Sequence, residues 1–132
     1  MMNDQALIQF FRQAIPDLIA LYRFGSQAKG GTRPDSDVDL AVLAGNPIPV
    51  LRQFELAQEL AVHLHRDVDL VDLRAASTVM RMQVISTGEC LDSPNGPARR
   101  EFEMYVYAAY ARLNEERREI LDRVRASGVI YG

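Results

Sequence analysis

The sequence is poor in cysteine, in lysine and in long apolar runs, and each shortage excludes a class of protein. A single cysteine, Cys90, cannot form a disulfide within the chain, which fits a reducing compartment. No apolar run approaches the roughly 20 residues that a membrane-spanning helix needs. The amino terminus lacks the basic start and the cleavage site of a signal peptide. We therefore expect a cytoplasmic protein with no membrane segment.

The charge balance argues against a general affinity for nucleic acid. The formal net charge is −3, so the chain as a whole does not attract a phosphate backbone. Arginine supplies all but one of the 15 basic residues, and the only lysine is Lys29. Lys29 lies in the segment GSQAKGGTRPDSDVD (25–39), which has the composition of a loop and then enters an apolar run. This segment is the candidate functional region.

Apolar periodicity predicts an α/β (α+β) fold in which helices flank a small mixed β-sheet. Helical spacing of apolar residues alternates with short runs of strand-forming residues, and Gly or Pro separates them. The predicted helices cover 3–14, 50–64, 75–86 and 98–126, and the predicted strands cover 18–24, 37–43, 67–73 and 89–91. We expect a core at 1–92 and, after a break at 93–97, a helical extension of the same domain at 93–132.

Two aspartates begin the second predicted strand. Asp37 and Asp39 are two positions apart, so their carboxylates project from the same face of the strand. Neighbouring carboxylates repel each other, which favours either a raised pKa or a shared cation. Mg²⁺ suits such a pair, because it prefers oxygen ligands and keeps positions for water and phosphate. The alternative interpretation is a solvent-facing polar stripe on a half-exposed strand.

Gly25 and Ser26 follow the first predicted strand. A glycine at the end of a strand allows a sharp turn, in which backbone N–H groups and the serine hydroxyl can face an anion. Such a pair can equally be an ordinary turn. Lys29 and Arg33 could contact phosphate oxygens from the following loop, or they could simply be solvated.

The third predicted strand, DVDLVDL (67–73), repeats the acidic alternation. If it neighbours the second strand, Asp69 adds a third carboxylate to Asp37 and Asp39, and three carboxylates can bind two Mg²⁺ ions. Asp69 is central in its strand and is favoured over Asp67, which starts the strand. Asp72 falls on the other face, where a structural hydrogen-bonding role is expected.

The segment FGSQAKGGTRPDSDVDLAVL (24–43) resembles the signature of the DNA polymerase β-type nucleotidyltransferases. In detail the chain is similar to the minimal nucleotidyltransferases, the MNT proteins, over roughly residues 3–92. The resemblance implies a nucleotidyltransferase fold, with a helical extension that is also typical of these proteins. It implies that Gly25 and Ser26 hold the triphosphate, that Asp37 and Asp39 ligate metal, and that Asp69 is the third carboxylate.

The resemblance also implies a partner and a reaction. Many MNT proteins are antitoxins encoded with HEPN ribonuclease toxins, and some inactivate the toxin by adenylylating a tyrosine. We therefore expect Mg²⁺-dependent transfer of AMP from ATP to a tyrosine hydroxyl of a HEPN toxin. Two alternatives stay open: an antitoxin that neutralises the toxin by binding alone, and nucleotidylation of a small molecule such as an aminoglycoside.

The carboxyl-terminal helix carries an apolar stripe that one small domain cannot cover. Beyond Leu113, the residues Ile120, Leu121 and Val124 form a narrow stripe among charged neighbours. This stretch overhangs a single domain, so we expect a second subunit or, preferably, a partner protein to cover it. A homo-oligomer and a hetero-oligomer with the toxin are both compatible with the sequence.

Overall fold

The computed structural model describes residues 2–25 and 37–128, which form four helices and four strands. In chain order these are α1 (Asp4–Ala14), β1 (Leu18–Phe24), β2 (Val38–Ala44), α2 (Val50–Leu64), β3 (Val68–Asp72), α3 (Thr78–Thr87), β4 (Glu89–Asp92) and α4 (Gly96–Ser127). The strands form one sheet in the order β3-β2-β1-β4. β1 pairs antiparallel with β2 and with β4, whereas β2 and β3 are parallel. The predicted fold class, a small mixed sheet flanked by helices with a long carboxyl-terminal helix, is confirmed. None of the described helices is both long and apolar enough to span a membrane.

Side-chain caps stand at the start of three of the four described helices, α1, α3 and α4. The Asn3 side chain accepts a hydrogen bond from the Ala6 N–H at 2.8 Å, so α1 begins where the sequence predicts. Ser77 caps α3 in the same way, through the N–H of Met80. The prediction placed the start of α3 at residue 75, which is three residues early. The reason is that the N–H groups of residues 75 and 76 bond the Asp72 carbonyl in a turn.

The sheet is buried on both faces, and β2 shows this most clearly. Val38, Leu40 and Val42 pack on the side covered by α1 and α2. Ala41 and Leu43 pack on the opposite side, against α3 and α4, and are fully buried. The face that carries Asp39 is therefore covered over most of its length. The interpretation of this face as a solvent-facing polar stripe is wrong, since only the start of the strand is polar.

One buried hydrogen bond anchors α4 to the sheet. The Tyr22 hydroxyl of β1 donates to Glu103 Oε2 at 2.6 Å, and Arg99 Nε donates to the same oxygen at 3.1 Å. Phe102 and Val106 bury the same part of α4 against the sheet. From residue 114 to residue 128 every side chain is exposed, including the predicted stripe of Ile120, Leu121 and Val124. Roughly the second half of this 32-residue helix therefore lacks any cover from the described part of the chain.

Asp72 ends β3 and fixes the turns around it. Its side chain is 2% exposed, with Oδ2 accepting from the Ile48 N–H at 2.8 Å and Oδ1 accepting from the Arg74 N–H at 3.0 Å. One carboxylate thus satisfies two backbone donors from different loops. The predicted structural role of Asp72 is confirmed.

We expect Asp72→Ala to lower the free energy of unfolding by about 2 kcal/mol or more, because it leaves two buried N–H donors without a partner. Urea denaturation measures this change. Asp17→Ala is the matched control, since Asp17 Oδ2 accepts from the Asn46 N–H at 3.1 Å but on the exposed surface. Equal losses in the two variants would contradict the assignment of Asp72 as a buried structural acceptor.

Candidate active site

The parallel pairing of β2 and β3 brings the predicted carboxylates together. In this register Asp39 lies directly opposite Asp69, and the pairs Val38–Val68 and Leu40–Leu70 flank it. Residues at paired positions of neighbouring strands face the same side of the sheet. Asp39 is half-buried, whereas Asp69 and Asp37 are exposed. The expectation that the third strand neighbours the second is therefore confirmed.

The three carboxylates are close enough to affect each other electrostatically. Burial raises the pKa of Asp39 above its ordinary value, and the charges of Asp69 and then Asp37 raise it further. An ionised Asp39 is thus less stable here than in water. Asp67 is not among the groups that shift this pKa, and its carbonyl accepts from the Val38 N–H at 2.9 Å, at the start of the ladder. The register therefore favours Asp69 over Asp67 as the neighbour of Asp39.

The chemistry of this donor set fits a hard divalent cation. Three carboxylates supply oxygen ligands and an excess of negative charge, which is what Mg²⁺ sites provide. Across residues 2–25 and 37–128, no three His, Cys, Asp or Glu side chains already converge on one metal position. Rotation of the carboxylates about their own side-chain bonds is needed to bring them onto one ion.

Gly25 directly follows β1 and lies beside Asp39. Its φ of +70° lies in the left-handed region, which L side chains rarely adopt. A Cβ atom at this position would overlap Asp39 Oδ2 and would lie 3.2 Å from Asp39 Cγ. Only glycine satisfies both the backbone conformation and the contact. The predicted phosphate-binding turn therefore begins against the carboxylate of β2, because the preceding residue, Phe24, pairs with Asp39.

Three of the residues singled out in the sequence, Ser26, Lys29 and Arg33, lie outside the described residues. Of the predicted phosphate-binding turn, only the first residue, Gly25, is described, and it is the residue that contacts Asp39. The role that the resemblance implies for Ser26, and the phosphate contact considered for Lys29, stay predictions.

A groove beside the outer edge of β3 was not predicted from the sequence. It is a cavity of about 410 Å³ that includes Asp69, and Gln53, Ser77 and Met80 lie along its sides. Gln53 Nε2 donates to the Leu70 carbonyl at 2.7 Å and so satisfies one acceptor on the edge of this strand. No pattern in the sequence could have found this groove, because α2 and α3 form it only after packing.

Comparison with known proteins identifies the family and several relatives of the chain. A family model described as "Polymerase beta, Nucleotidyltransferase" matches residues 5–95. The protein adenylyltransferase MntA of Shewanella oneidensis is 40% identical over 126 residues, which cover 96% of this chain and 90% of that protein.

Two solved structures share the fold over nearly the whole chain. A chain in a crystal structure of a toxin–antitoxin with AMP-PNP is 40% identical, with a TM-score of 0.83, over 94% of this chain and 99% of that chain. A chain in the structure of a tri-AMPylated Shewanella oneidensis HEPN toxin in complex with an MNT antitoxin is 38% identical. Its TM-score is 0.76, over 92% of this chain and 95% of that chain.

We expect Asp39→Asn to stabilise the metal-free protein at neutral pH. The pKa of Asp39 is raised in the folded state, so ionisation of this group lowers the stability as the pH rises above the ordinary pKa of aspartate, and the full loss is present above the raised pKa. The asparagine variant removes this penalty, and its higher urea midpoint at pH 7 should disappear at a pH below the ordinary pKa of aspartate.

Asp67→Asn is the control for this experiment, because it makes the same change in net charge outside the cluster. A similar gain from Asp67→Asn would assign the effect to overall charge and not to repulsion at Asp39.

Proposed function

Because the chain belongs to the polymerase beta nucleotidyltransferase family, we propose that it transfers AMP from ATP to a partner protein and so acts as an antitoxin. The observation that carries the proposal is the cross-strand pair of Asp39 and Asp69 with Gly25 against it. It occurs in a chain 40% identical to a protein adenylyltransferase. The partner is a HEPN-type toxin, and the acceptor is a tyrosine hydroxyl. The supply of ATP places the reaction in the cytoplasm.

The geometry supports roles for Asp39, Asp69 and Gly25, and the family pattern adds Asp37 and Ser26. Asp37, Asp39 and Asp69 would hold Mg²⁺, and the turn that starts at Gly25 would hold the triphosphate. Ser26 and, from its place in the sequence, Lys29 would donate to the phosphate oxygens. When bound, Mg²⁺ supplies positive charge that offsets the charge of the phosphates and of the leaving pyrophosphate. The charge of a bound Mg²⁺ would also offset the repulsion among the three carboxylates, which is unfavourable without it.

In the proposed reaction Asp69 acts on the acceptor. It is exposed and borders the groove along β3, whereas Asp39 is half-buried behind it. A tyrosine hydroxyl has an ordinary pKa near 10, so at neutral pH its proton must be removed as it reacts. In the proposed step the acceptor oxygen forms a bond to the α-phosphorus, the bond from that phosphorus to the bridging oxygen breaks, and pyrophosphate leaves. Asp69 accepts the proton.

We expect Asp69→Asn to lower the rate of AMP transfer on the order of 100-fold or more. Asparagine keeps the shape of the aspartate side chain but cannot accept the proton. Intact-mass measurement of the toxin after incubation with ATP and Mg²⁺ reports the transfer. Asp67→Asn is the matched control, since it neutralises the other exposed aspartate of the same segment. Its activity should stay close to that of the unaltered chain.

The same pair of variants separates catalysis from simple binding. If transfer is the protective event, cells that carry Asp69→Asn should lose protection although the variant still binds the toxin. Full protection by a folded Asp69→Asn that adds no AMP would overturn the enzymatic proposal in favour of an antitoxin that acts by binding alone.

We expect Gly25→Ala to weaken ATP binding and AMP transfer much more than Gly128→Ala. Both glycines have φ near +70°, so the backbone strain of an added Cβ atom is matched, at about 1 kcal/mol. Only Gly25 has the Asp39 carboxylate in the way, whereas a Cβ atom at Gly128 meets nothing within 4 Å. Titration calorimetry with a non-hydrolysable ATP analogue measures the difference. Equal effects would show that the contact between Gly25 and Asp39 does not shape the site.

A further inference from the structure

A second pocket lies on the α3 and α4 side of the sheet, which is also the side of Asp39, but near the other end of β2. It is a cavity of about 530 Å³ lined by Arg74, Arg81, Ala98, Glu101, Phe102 and Tyr105, which we call the arginine pocket. Arg74 Nε donates at 2.7 Å to the carbonyl of Ala44, the last residue of β2. Asp39 lies five residues earlier in that strand, which is about 16 Å at the rise of a β-strand. The arginine pocket is therefore separate from the candidate active site.

The two arginines of this pocket are held in place by uncharged groups. Each guanidinium carbon lies 5.3 Å from the centroid of the buried Phe102 ring. Arg81 Nε donates to the Leu73 carbonyl at 2.7 Å, and Arg81 Nη2 donates to the Arg74 carbonyl at 2.8 Å. A guanidinium has five N–H donors, so both side chains keep donors that these bonds do not use.

The positive charge of the arginine pocket is not neutralised by an ion pair within the described residues. The ion pairs among the described residues involve other arginines, such as Arg99 with Glu103 and Arg23 with Asp4 and Glu89. Arg74 and Arg81 instead have carbonyl oxygens and an aromatic ring as partners. Two fixed cations in a chain with a net charge of −3 form a local site for an anion.

We propose that the arginine pocket binds the carboxylate of an acidic side chain on the toxin, and this inference rests on the proposed function. The planar guanidinium fork matches a carboxylate in two parallel hydrogen bonds. Tyr105 and Met104, at the same part of α4, are 62% and 72% exposed. Tyrosine, methionine and arginine are enriched at protein interfaces, which favours a protein ligand over a free phosphate.

The charge of Glu101 allows a test in which the affinity for the toxin is expected to rise and not to fall. It is exposed and lines the arginine pocket together with the two arginines, so its charge opposes an incoming carboxylate. Removal of this charge should therefore tighten binding of the toxin, while removal of an arginine charge should weaken it. A residue that merely stabilised the fold would not produce opposite effects.

The experiment measures the affinity of the full-length chain for purified toxin, by calorimetry, at two salt concentrations. We expect Arg81→Gln to weaken binding about 10-fold or more, and Glu101→Gln to strengthen it by a few-fold and more clearly at low salt. Arg100→Gln is the control, because Arg100 is exposed on α4, the helix that carries Glu101, but does not line the arginine pocket. Its affinity should be unchanged. Urea denaturation verifies that Arg81→Gln is folded, and Glu101→Gln keeps the test decisive if it is not.

Three results would overturn the proposal. The first is an unaltered affinity of both Arg81→Gln and Glu101→Gln in a chain that still transfers AMP to the toxin, which leaves the proposed function intact. The second is binding of inorganic phosphate or ATP that is lost only in Arg81→Gln, which would make the arginine pocket a phosphate site. The third is an unaltered chain that neither binds nor labels the toxin, which would overturn the proposed function as well.

Discussion

The repulsion between Asp39 and Asp69 is the constraint on which the active-site end of the structure depends. The two carboxylates lie opposite each other because β2 and β3 are parallel and in register. A slip of one residue would turn Asp69 to the other face of the sheet. The apolar pairs on either side, Val38 with Val68 and Leu40 with Leu70, oppose such a slip because Leu40 and Leu70 are buried. Burial of the core therefore maintains a cluster of charges that is unfavourable by itself. In the function that we propose, a cation bound with a triphosphate offsets this repulsion.

The strand β2 connects the two functional regions that we infer. Its first residues carry the carboxylates, and its last residue, Ala44, accepts a hydrogen bond from Arg74 at the arginine pocket. Between these ends both faces of the strand are buried, so it acts as a rigid spacer. A partner held at one end can be presented to the chemistry at the other end without any movement of the sheet. The second half of α4, which is exposed along its length, offers further surface to the same partner.

Much of the fold follows from the sequence alone, because alternation and breaker residues are local signals. The strands β1 to β4 and the helix α2 lie where the pattern places them, and Asp72 is the structural acceptor that its position predicts. Contacts between distant elements could not be predicted in this way. The contact of Gly25 with Asp39 and the packing of Arg74 and Arg81 on Phe102 depend on how strands and helices pack, and no periodicity encodes them. The sequence could place Asp69 beside Asp39 only on the condition that its strand neighbours β2.

If the chain modifies a tyrosine, as we propose, its own tyrosines are possible acceptors too. Tyr22 is 2% exposed, and its hydroxyl donates to Glu103 across the interface with α4. Burial, together with the charge of Glu103, raises the pKa of Tyr22 well above its ordinary value, so the oxygen stays protonated and enclosed. The bond that anchors α4 thus also removes Tyr22 from the set of available nucleophiles. In the proposed reaction, burial and the bond to Glu103 thus protect Tyr22 from self-modification.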